Sequence, residues 1–295
     1  MIADSPRRTA EDLSGFVHKK ERTYYVLMLV VSAAVYAGLV AVMVSGDEGT
    51  GLVIGYGVFF ALIFFMMHGL MIGGIRGNGV RVTATQFPAL HATIVRHAET
   101  LGLAKAPDVF LLQAGGLLNA FATRFLGRDF VVLYSDVLAM AEREGQAVVG
   151  WIVAHELAHV RRGHLKRRWM IMPARLIPYL GAAYSRACEY TCDRIAAHCQ
   201  PDGAVEGLLT LAAGPDLYRR VDAREFADQV HTEGGFWVRR AELMSTHPTL
   251  PKRVAAMIAA GAQVPAYTPV HADAPSWLAT PGTARRATEQ RQSML

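Results

Sequence analysis

Two histidines and a glutamate stand close together in an otherwise apolar run of the sequence. In VGWIVAHELAHVRRGH, residues 149–164, His155 and His159 are four positions apart and Glu156 follows the first of them. On a helix, residues four apart point to the same side, so the two imidazoles can bind one zinc ion. Glu156, on the flank of the same turn, can accept a proton from a water molecule that the metal activates. This H-E-x-x-H pattern therefore indicates metal-dependent hydrolysis.

The pattern lacks a third ligand. A catalytic zinc ion usually takes three protein ligands and keeps a fourth position for water or substrate. Histidines buried only for packing would rarely be paired at this spacing in a helix of Val, Ile and Ala, so packing is the weaker interpretation of His155 and His159. Downstream, YSRACEYTCD places Glu189 and Asp193 at helical spacing on one side. Taken alone, either of these acids could be a ligand or a solvated side chain.

These two stretches together resemble a known family. HELAHVRRGH followed by SRACEYTCD is similar to the HtpX and CaaX-prenyl-protein endopeptidase family of membrane zinc metalloproteases. The family's second motif, S-R-x-x-E-x-x-x-D, is matched by Ser185, Arg186, Glu189 and Asp193. The resemblance implies one Zn²⁺ per chain, with Glu189 as its third ligand and Asp193 orienting a ligating histidine. His164, which also recurs in the family, is interpreted as a structural residue at the end of the helix.

A segment between the apolar blocks and the histidines also resembles the family. LLNAFATRFLGRDFVVLYSDVL is similar to its N-A-F-A segment and to the strand beside the active site. The resemblance implies that Asn119 and Ala120 contact the substrate backbone. It also implies that Phe130 to Tyr134, including Val131 and Val132, form an edge strand to which an extended peptide can add. Without the resemblance, a plain core strand capped by Asn119 is the better interpretation.

The last motif lies near the end of the periodic sequence. STHPTLPKRV is similar to the family's H-P-x-x-x-x-R segment and contains His247 and Arg253. The resemblance implies that both residues stabilise the oxyanion that forms when water attacks the peptide carbonyl. An isolated His-Pro pair is more often part of a loop.

Two apolar blocks precede these motifs. Residues 24–45 and 49–75 contain no charged residue, and each is longer than the roughly 20 residues that a helix needs to cross the hydrocarbon layer. Neither block has a polar face, so two buried helices of a soluble domain are a weak alternative. We therefore predict a transmembrane helical hairpin over residues 24–75. His68 in the second block is either a proton-handling group or, as we favour, a helix contact.

The charges around the blocks predict the orientation of the hairpin. Basic residues precede the first block, whereas the loop between the blocks contains Asp47 and Glu48 and no basic residue. The positive-inside rule then places both ends of the hairpin in the cytoplasm. A second long block after a short turn argues against a cleaved signal peptide. We expect a multi-pass protein of the cell (inner) membrane with a cytoplasmic catalytic domain.

The remaining sequence has the pattern of a globular domain and a tail. Helical periodicity over residues 144–164 and strand patterns in APDVFLLQAG and RDFVVLYSDVL predict a mainly α fold with a small β-sheet, as in an α+β zincin-type domain. We assign residues 76–261 to this domain and residues 1–23 to a cytoplasmic N-terminal segment. Residues 262–295 lose periodicity and gain Pro, Ala, Thr and Gln, which is typical of a disordered tail.

The chain is basic, with a formal net charge of +5. Nucleic acid is not the expected partner, because the basic residues cluster beside the apolar blocks and no aromatic platform recurs at regular spacing. The basic residues that follow the H-E-x-x-H pattern face either anionic lipid or water, and the sequence leaves both open: Arg161, Arg162, Lys166, Arg167 and Arg168. The expected partners are a protein or peptide substrate and the lipid bilayer, and the sequence permits a homo-oligomer.

One stretch departs from the family. HtpX-like proteins carry further membrane spans between their two metal-binding helices, but this chain has only WMIMPARLIPYLGAAY, residues 169–184. This stretch is too short to cross a bilayer and is interrupted by Pro173, Arg175 and Pro178. We expect a shortened, interfacial segment. Two spans also cannot build the closed chamber of the prenyl-protein enzymes, which argues against CaaX processing.

The sequence thus predicts a membrane-anchored zinc endopeptidase that hydrolyses unfolded or membrane-associated proteins, as in protein quality control. One alternative is a membrane scaffold or regulator with a closed, structural zinc site, in which His247 is a fourth ligand. Another is a latent protease whose tail from Ala262 onward lies in the cleft.

Overall fold

The structure is a computed structural model that describes residues 12–46, 49–113, 119–144 and 146–267. Its helices are α1 (Lys19–Ser45), α2 (Thr50–Asn78), α3 (Pro88–Thr100), α4 (Ser135–Glu144), α5 (Gln146–Arg161), α6 (Met172–Arg175), α7 (Leu180–Cys199), α8 (Ala204–Ala213), α9 (Ala223–Thr232), α10 (Phe236–Met244) and α11 (Leu250–Ala259). Its strands are β1 (Val80–Arg81), β2 (Asp108–Leu112), β3 (Ala120–Phe125) and β4 (Arg128–Tyr134). The predicted fold class, mainly α with a small sheet and an N-terminal helical hairpin, is confirmed.

The helices α1 and α2 are long and apolar enough to cross a membrane. Only 11% of the most apolar window of each helix is buried, so most of their apolar side chains point away from the protein. Beside the turn that joins them, the Thr50 hydroxyl donates to the Val42 carbonyl over 3.0 Å. Asp47 and Glu48, on which the predicted orientation depends, lie outside the described residues.

The sheet has the strand order β1-β2-β4-β3. β4 pairs in parallel with β2 and antiparallel with β3, so neighbouring strands use its main chain on both sides. The prediction of an edge strand at Phe130–Tyr134 is therefore wrong, and Phe130, Val131 and Val132 are buried. A continuous apolar run is typical of an inner strand that is covered on both faces. In the described chain, the edge beside the histidine helix is β3, which contains Ala120.

Helix α5 lies in the centre of the main core. Its residues Val148 to Ala158 are all buried, because the helix is apolar on nearly every side and contacts α3, α4, α7 and α8. Small residues allow the close approach of α8. A Cβ atom on Gly207 would lie 2.5 Å from the Trp151 ring, so only glycine fits there. The H-E-x-x-H residues are therefore held on a closely packed central helix of the domain.

The two long helices attach to different sides of the domain that contains α5. Met28 of α1 is fully buried against α6 and α7, in a small core with Ile171 and Cys188. Ile72 and Ile75 of α2 pack on the sheet against Phe110, Phe130 and Val132. His68 of α2 lies 3.1 Å from the Thr123 hydroxyl of β3, which is a contact between the helix and the sheet.

The C-terminal tail is described only in part. Ala262 and Val264 are partly buried against the main core, so packing continues slightly beyond the predicted domain end at residue 261. Residues 268–295, which include most of the predicted tail, lie outside the described residues.

Candidate metal centre and active site

Helices α5 and α7 bring two imidazoles and one carboxylate together. Nε2 of His155 lies 3.3 Å from Oε2 of Glu189, and Nε2 of His159 lies 3.3 Å from Oε1 of the same carboxylate. One ligand atom of each residue lies within 4.8 Å of the others. Since metal bonds to His and Glu are about 2.0–2.2 Å long, a single ion fits among these three atoms.

Asp193, one turn after Glu189 on α7, lies beside the ring of His155. Its Oδ1 lies 3.0 Å from Nδ1 of His155. With a metal ion bound at Nε2, the one proton of the imidazole would lie on Nδ1, toward Asp193. Burial opposes protonation of His155, but Asp193 and Glu189 raise its pKa to about 10. The two carboxylates thus stabilise positive charge at this point, which a divalent cation also supplies.

Arg253 of α11 binds Asp193 from behind. Its Nε and Nη2 donate to the two carboxylate oxygens over 2.8 and 2.6 Å, and Nη2 lies 3.6 Å from Oε2 of Glu189. Burial favours the neutral acid, but the charge of Arg253 holds the pKa of Asp193 below its usual value. The oxyanion role implied by the resemblance needs correction here. Arg253 is buried and directs its donors at Asp193, so it positions His155 instead of facing a substrate.

The metal cluster opens into a cleft of about 300 Å³. Glu156, Glu189 and both ligating histidines line it from one side, and Ala120, Phe121 and Ala122 of β3 line another. Glu156 is 8% exposed, so it reaches the cleft while most of its surface is shielded. The cleft is therefore bounded by the predicted base, the metal ligands and an edge strand.

His247 lies on the loop between α10 and α11 at the mouth of the cleft. Its side chain is 60% exposed, and its Nε2 lies 3.6 Å from Oε1 of Glu189. Arg186 of α7 fixes this loop by donating to the carbonyls of Glu242 and Ser245 over 2.7 Å each. The structure thus places His247 beside Glu189, and Arg186 of the S-R motif holds the loop in this position.

The predicted substrate contacts divide into two groups. Asn119 is exposed just before β3, where its Oδ1 accepts from the Ala120 amide over 2.9 Å. Ala120 lines the cleft. Phe130, Val131 and Val132 do not line it, because their strand is the inner neighbour of β3. The strand that can receive a peptide is therefore β3, the outer neighbour of the predicted strand β4.

Comparison with known proteins places the chain in a family. The sequence model of Peptidase family M48 matches residues 84–183 and 170–260, which is more than half of the chain. The chain belongs to peptidase family M48. This family includes the HtpX and CaaX protease members, so the resemblance inferred from the motifs is confirmed. No curated protein and no solved structure gives a significant match.

M48 peptidases are metal-dependent and usually use zinc. The donor set of this M48 domain fits that ion. Two imidazole nitrogens and one carboxylate are the ligand set of many catalytic zinc sites, and both Asp193 and His164 lie behind the ligating histidines.

In the M48 domain, a series of polar contacts that the motifs do not predict also joins His159 to His164 and Glu21. Nδ1 of His159 lies 3.0 Å from Nδ1 of His164, whose Nε2 lies 3.3 Å from Oε1 of Glu21. Burial keeps His164 neutral by lowering its pKa to about 4. With its proton on Nε2 toward Glu21, His164 accepts from His159, which leaves Nε2 of His159 free to bind metal.

Glu21 comes from the first turn of α1, far from the active-site motifs in sequence. It is 3% exposed, and Nη2 of Arg162 donates to its Oε1 over 2.7 Å. The Thr191 hydroxyl donates to its Oε2. The only sequence signal for this role is the single acid in the basic stretch KKER, residues 19–22, just before the first apolar block. A pattern of short-range spacing cannot show that this acid meets His164.

We expect the substitution Glu21→Gln to weaken zinc binding by about tenfold, the lower end of the usual effect of residues behind a metal ligand. The amide keeps the shape of the side chain but removes the charge that orients His164. Competition with a chelator of known zinc affinity measures the change. Glu99→Gln on the exposed face of α3 is the control. An affinity equal to that of wild type would contradict the role of Glu21.

Proposed function

We propose that this M48 protein is a membrane-anchored zinc endopeptidase. The observation that carries the proposal is the position of the His155, His159 and Glu189 cluster, which faces a cleft lined by Glu156 and by a sheet edge. A metal bound only for structure would not need a base and a peptide-sized cleft beside it.

The residues around the cleft have different roles in peptide hydrolysis. A zinc ion held by His155, His159 and Glu189 would act as a Lewis acid that polarises the scissile carbonyl and lowers the pKa of water. Glu156 takes a proton from the attacking water and then donates it to the leaving amine. His247, at the mouth of the cleft, donates to the oxygen on which negative charge develops.

The edge strand β3 supports an extended substrate. Phe121 and Ala122 lie next to Ala120 along the cleft, and β4 occupies the other side of β3. A peptide that adds to the outer side of β3 gains main-chain hydrogen bonds whatever its sequence. This arrangement suits unfolded or exposed segments, because the main-chain groups of such segments are not already paired within the substrate.

The two apolar helices support membrane anchoring. In our proposal they cross the cell (inner) membrane as a hairpin, and the positive charge before α1 keeps the catalytic domain in the cytoplasm. Substrates are then unfolded or membrane-associated proteins that this domain can reach, as protein quality control requires.

The arrangement of His247 favours an enzyme over a scaffold. His247 does not belong to the group of ligand atoms that lie within 4.8 Å of one another, so three protein ligands leave a position for substrate. The latent form, with the tail in the cleft, stays a prediction, because residues 268–295 lie outside the described residues.

Removal and return of the metal tests the proposed function. Purified protein in nanodiscs should cleave casein, lose cleavage on dialysis against a chelator, and regain it when about one zinc per chain is restored. The intact fold after dialysis is checked by circular dichroism. Cleavage that continues in the metal-free protein would exclude a zinc peptidase.

A further inference from the structure

The segment from residue 169 to residue 179 has an exposed apolar face. Its side chains Trp169, Met170, Leu176, Ile177 and Tyr179 are 42–74% exposed. Single exposed apolar residues are normal on a soluble surface, but several from one short segment form a patch that needs a partner. Two residues of the same segment, Ile171 and Ala174, are fully buried in the small core with Met28. The segment therefore packs on α1 with one side and presents the other outward.

Three contacts define where this segment lies along α1. The Arg167 guanidinium lies 5.2 Å from the centre of the Tyr25 ring. The Ala174 amide donates to the Ser32 hydroxyl over 3.2 Å, and the Tyr36 hydroxyl donates to the Trp169 carbonyl over 2.8 Å. Tyr25 lies at the start of the predicted membrane span, residues 24–45, and Ser32 and Tyr36 lie well inside it.

Helix geometry converts these positions into depth. The far end of α1 is Ser45, and a hydrocarbon layer of about 30 Å corresponds to about 20 helical residues at 1.5 Å each. The boundary on the side of the catalytic domain then lies near Val26. Ser32 lies about 9 Å inside this boundary, and Glu21 lies about 8 Å outside it. The residues bound to Ser32 and Tyr36 are therefore below the membrane surface.

Most backbone amides of the segment are bonded within the protein. Irregular backbone is tolerated in the hydrocarbon layer only where its polar groups are bonded within the protein. The amides of Met170, Met172, Arg175, Leu176 and Ile177 donate to carbonyls of residues 167–174, and the Ala174 amide donates to Ser32. Pro173 and Pro178 have no amide proton to satisfy.

We propose that residues 169–179 are a re-entrant element that inserts into the leaflet on the side of the catalytic domain and contacts acyl chains. Lys166, Arg167 and Arg168 are exposed just before it. Their long side chains can extend toward the lipid phosphates, where positive charge is attracted to anionic lipid. The choice of lipid as the partner follows from continuity, because the patch extends the apolar surface of α1.

The element also determines the height of the active site. Leu165, Arg168 and Arg175 line the catalytic cleft. The metal ligand His159 is joined through His164 to Glu21, which lies outside the hydrocarbon boundary and therefore in the headgroup layer. The cleft therefore opens at the membrane surface and receives peptide segments next to a membrane span. This consequence for the substrate rests on the proposed function, whereas insertion of the element does not.

Fluorescence quenching by lipid tests the insertion without any need for activity. The full chain is reconstituted in nanodiscs of phosphatidylcholine and phosphatidylglycerol, with or without bromine atoms near the middle of the acyl chains. Wild type should show a quenched tryptophan component that Trp169→Phe lacks. The matched control Trp237→Phe, at an exposed position on α10, should keep that component.

A second variant guards against misfolding of Trp169→Phe. Leu176 is 74% exposed, so Leu176→Trp fits without repacking, and it should add a lipid-quenched component.

Equal lipid quenching in wild type and Trp169→Phe, with no gain from Leu176→Trp, would overturn the proposal. Quenching of Trp169 by aqueous iodide would overturn it too, because the patch would then lie in water. Protection from both quenchers would also overturn it, because protein would then cover the patch. If wild-type protein shows lipid quenching but does not cleave casein, that result contradicts only the proposed function.

Discussion

Glu156→Gln should abolish peptide cleavage and leave zinc in place. The side chain lines the cleft but does not belong to the group of metal-binding atoms. Glutamine has the same shape and no basic oxygen, so it cannot take the proton of the attacking water or return it to the leaving amine. Because general base catalysis typically contributes about 10²–10⁴-fold, we expect cleavage of casein to fall by at least about 100-fold.

The measurement pairs cleavage with metal content in the same samples. Glu225→Gln, at an exposed position on α9, is the matched control and should behave as wild type does. Cleavage by Glu156→Gln within a few-fold of wild type would remove Glu156 as the base. Loss of zinc together with cleavage would mean that Glu156 holds the metal site together instead of moving a proton.

Glu189→Ala should release the metal and end cleavage together. Glu189 supplies the carboxylate that lies 3.3 Å from both ligating imidazoles and is the only acid among the three grouped ligands. Substitution of a residue that hydrogen-bonds to a metal ligand typically lowers metal affinity by about 10–100-fold. Loss of the ligand itself should exceed that range, so zinc content should fall well below one per chain after purification.

Metal analysis of purified wild type and Glu189→Ala, with Glu225→Gln as the control, distinguishes three results. Loss of zinc and cleavage supports the three-ligand site. Zinc retained without Glu189 would mean that another acid, such as Asp193, is the third ligand. Wild-type protein that binds zinc but cleaves nothing would favour a scaffold or a latent enzyme. Circular dichroism checks the fold, since Glu189 is buried beside Arg253.

Much of the site could be predicted from the sequence because its ligands lie on helices. Helical periodicity places His155, Glu156 and His159 on neighbouring positions of one turn, and it places Glu189 and Asp193 one turn apart. Only the family resemblance chose Glu189 over Asp193 as the metal ligand. In the structure, Glu189 lies at both imidazoles and Asp193 lies behind one of them.

The helical hairpin could also be predicted, because an uncharged apolar run that is longer than the hydrocarbon layer is thick is typical of a membrane span. Strand order could not be predicted. The apolar run of β4 shows that the strand is buried, but the same run fits an inner strand or an edge strand beside a covered site. The structure places β3 outside it, which moves the predicted peptide-binding edge from Phe130–Tyr134 to Ala120–Phe125.

The sequence by itself determined the family, the candidate metal ligands on α5 and the two apolar helices, because each depends on residue types at short spacing. Tertiary structure alone decided which distant residues support that chemistry. Arg253 turns toward Asp193, and Glu21 reaches His164, across separations of 60 and 143 positions. No local periodicity records such contacts, because they arise from how whole helices pack and not from how one helix turns.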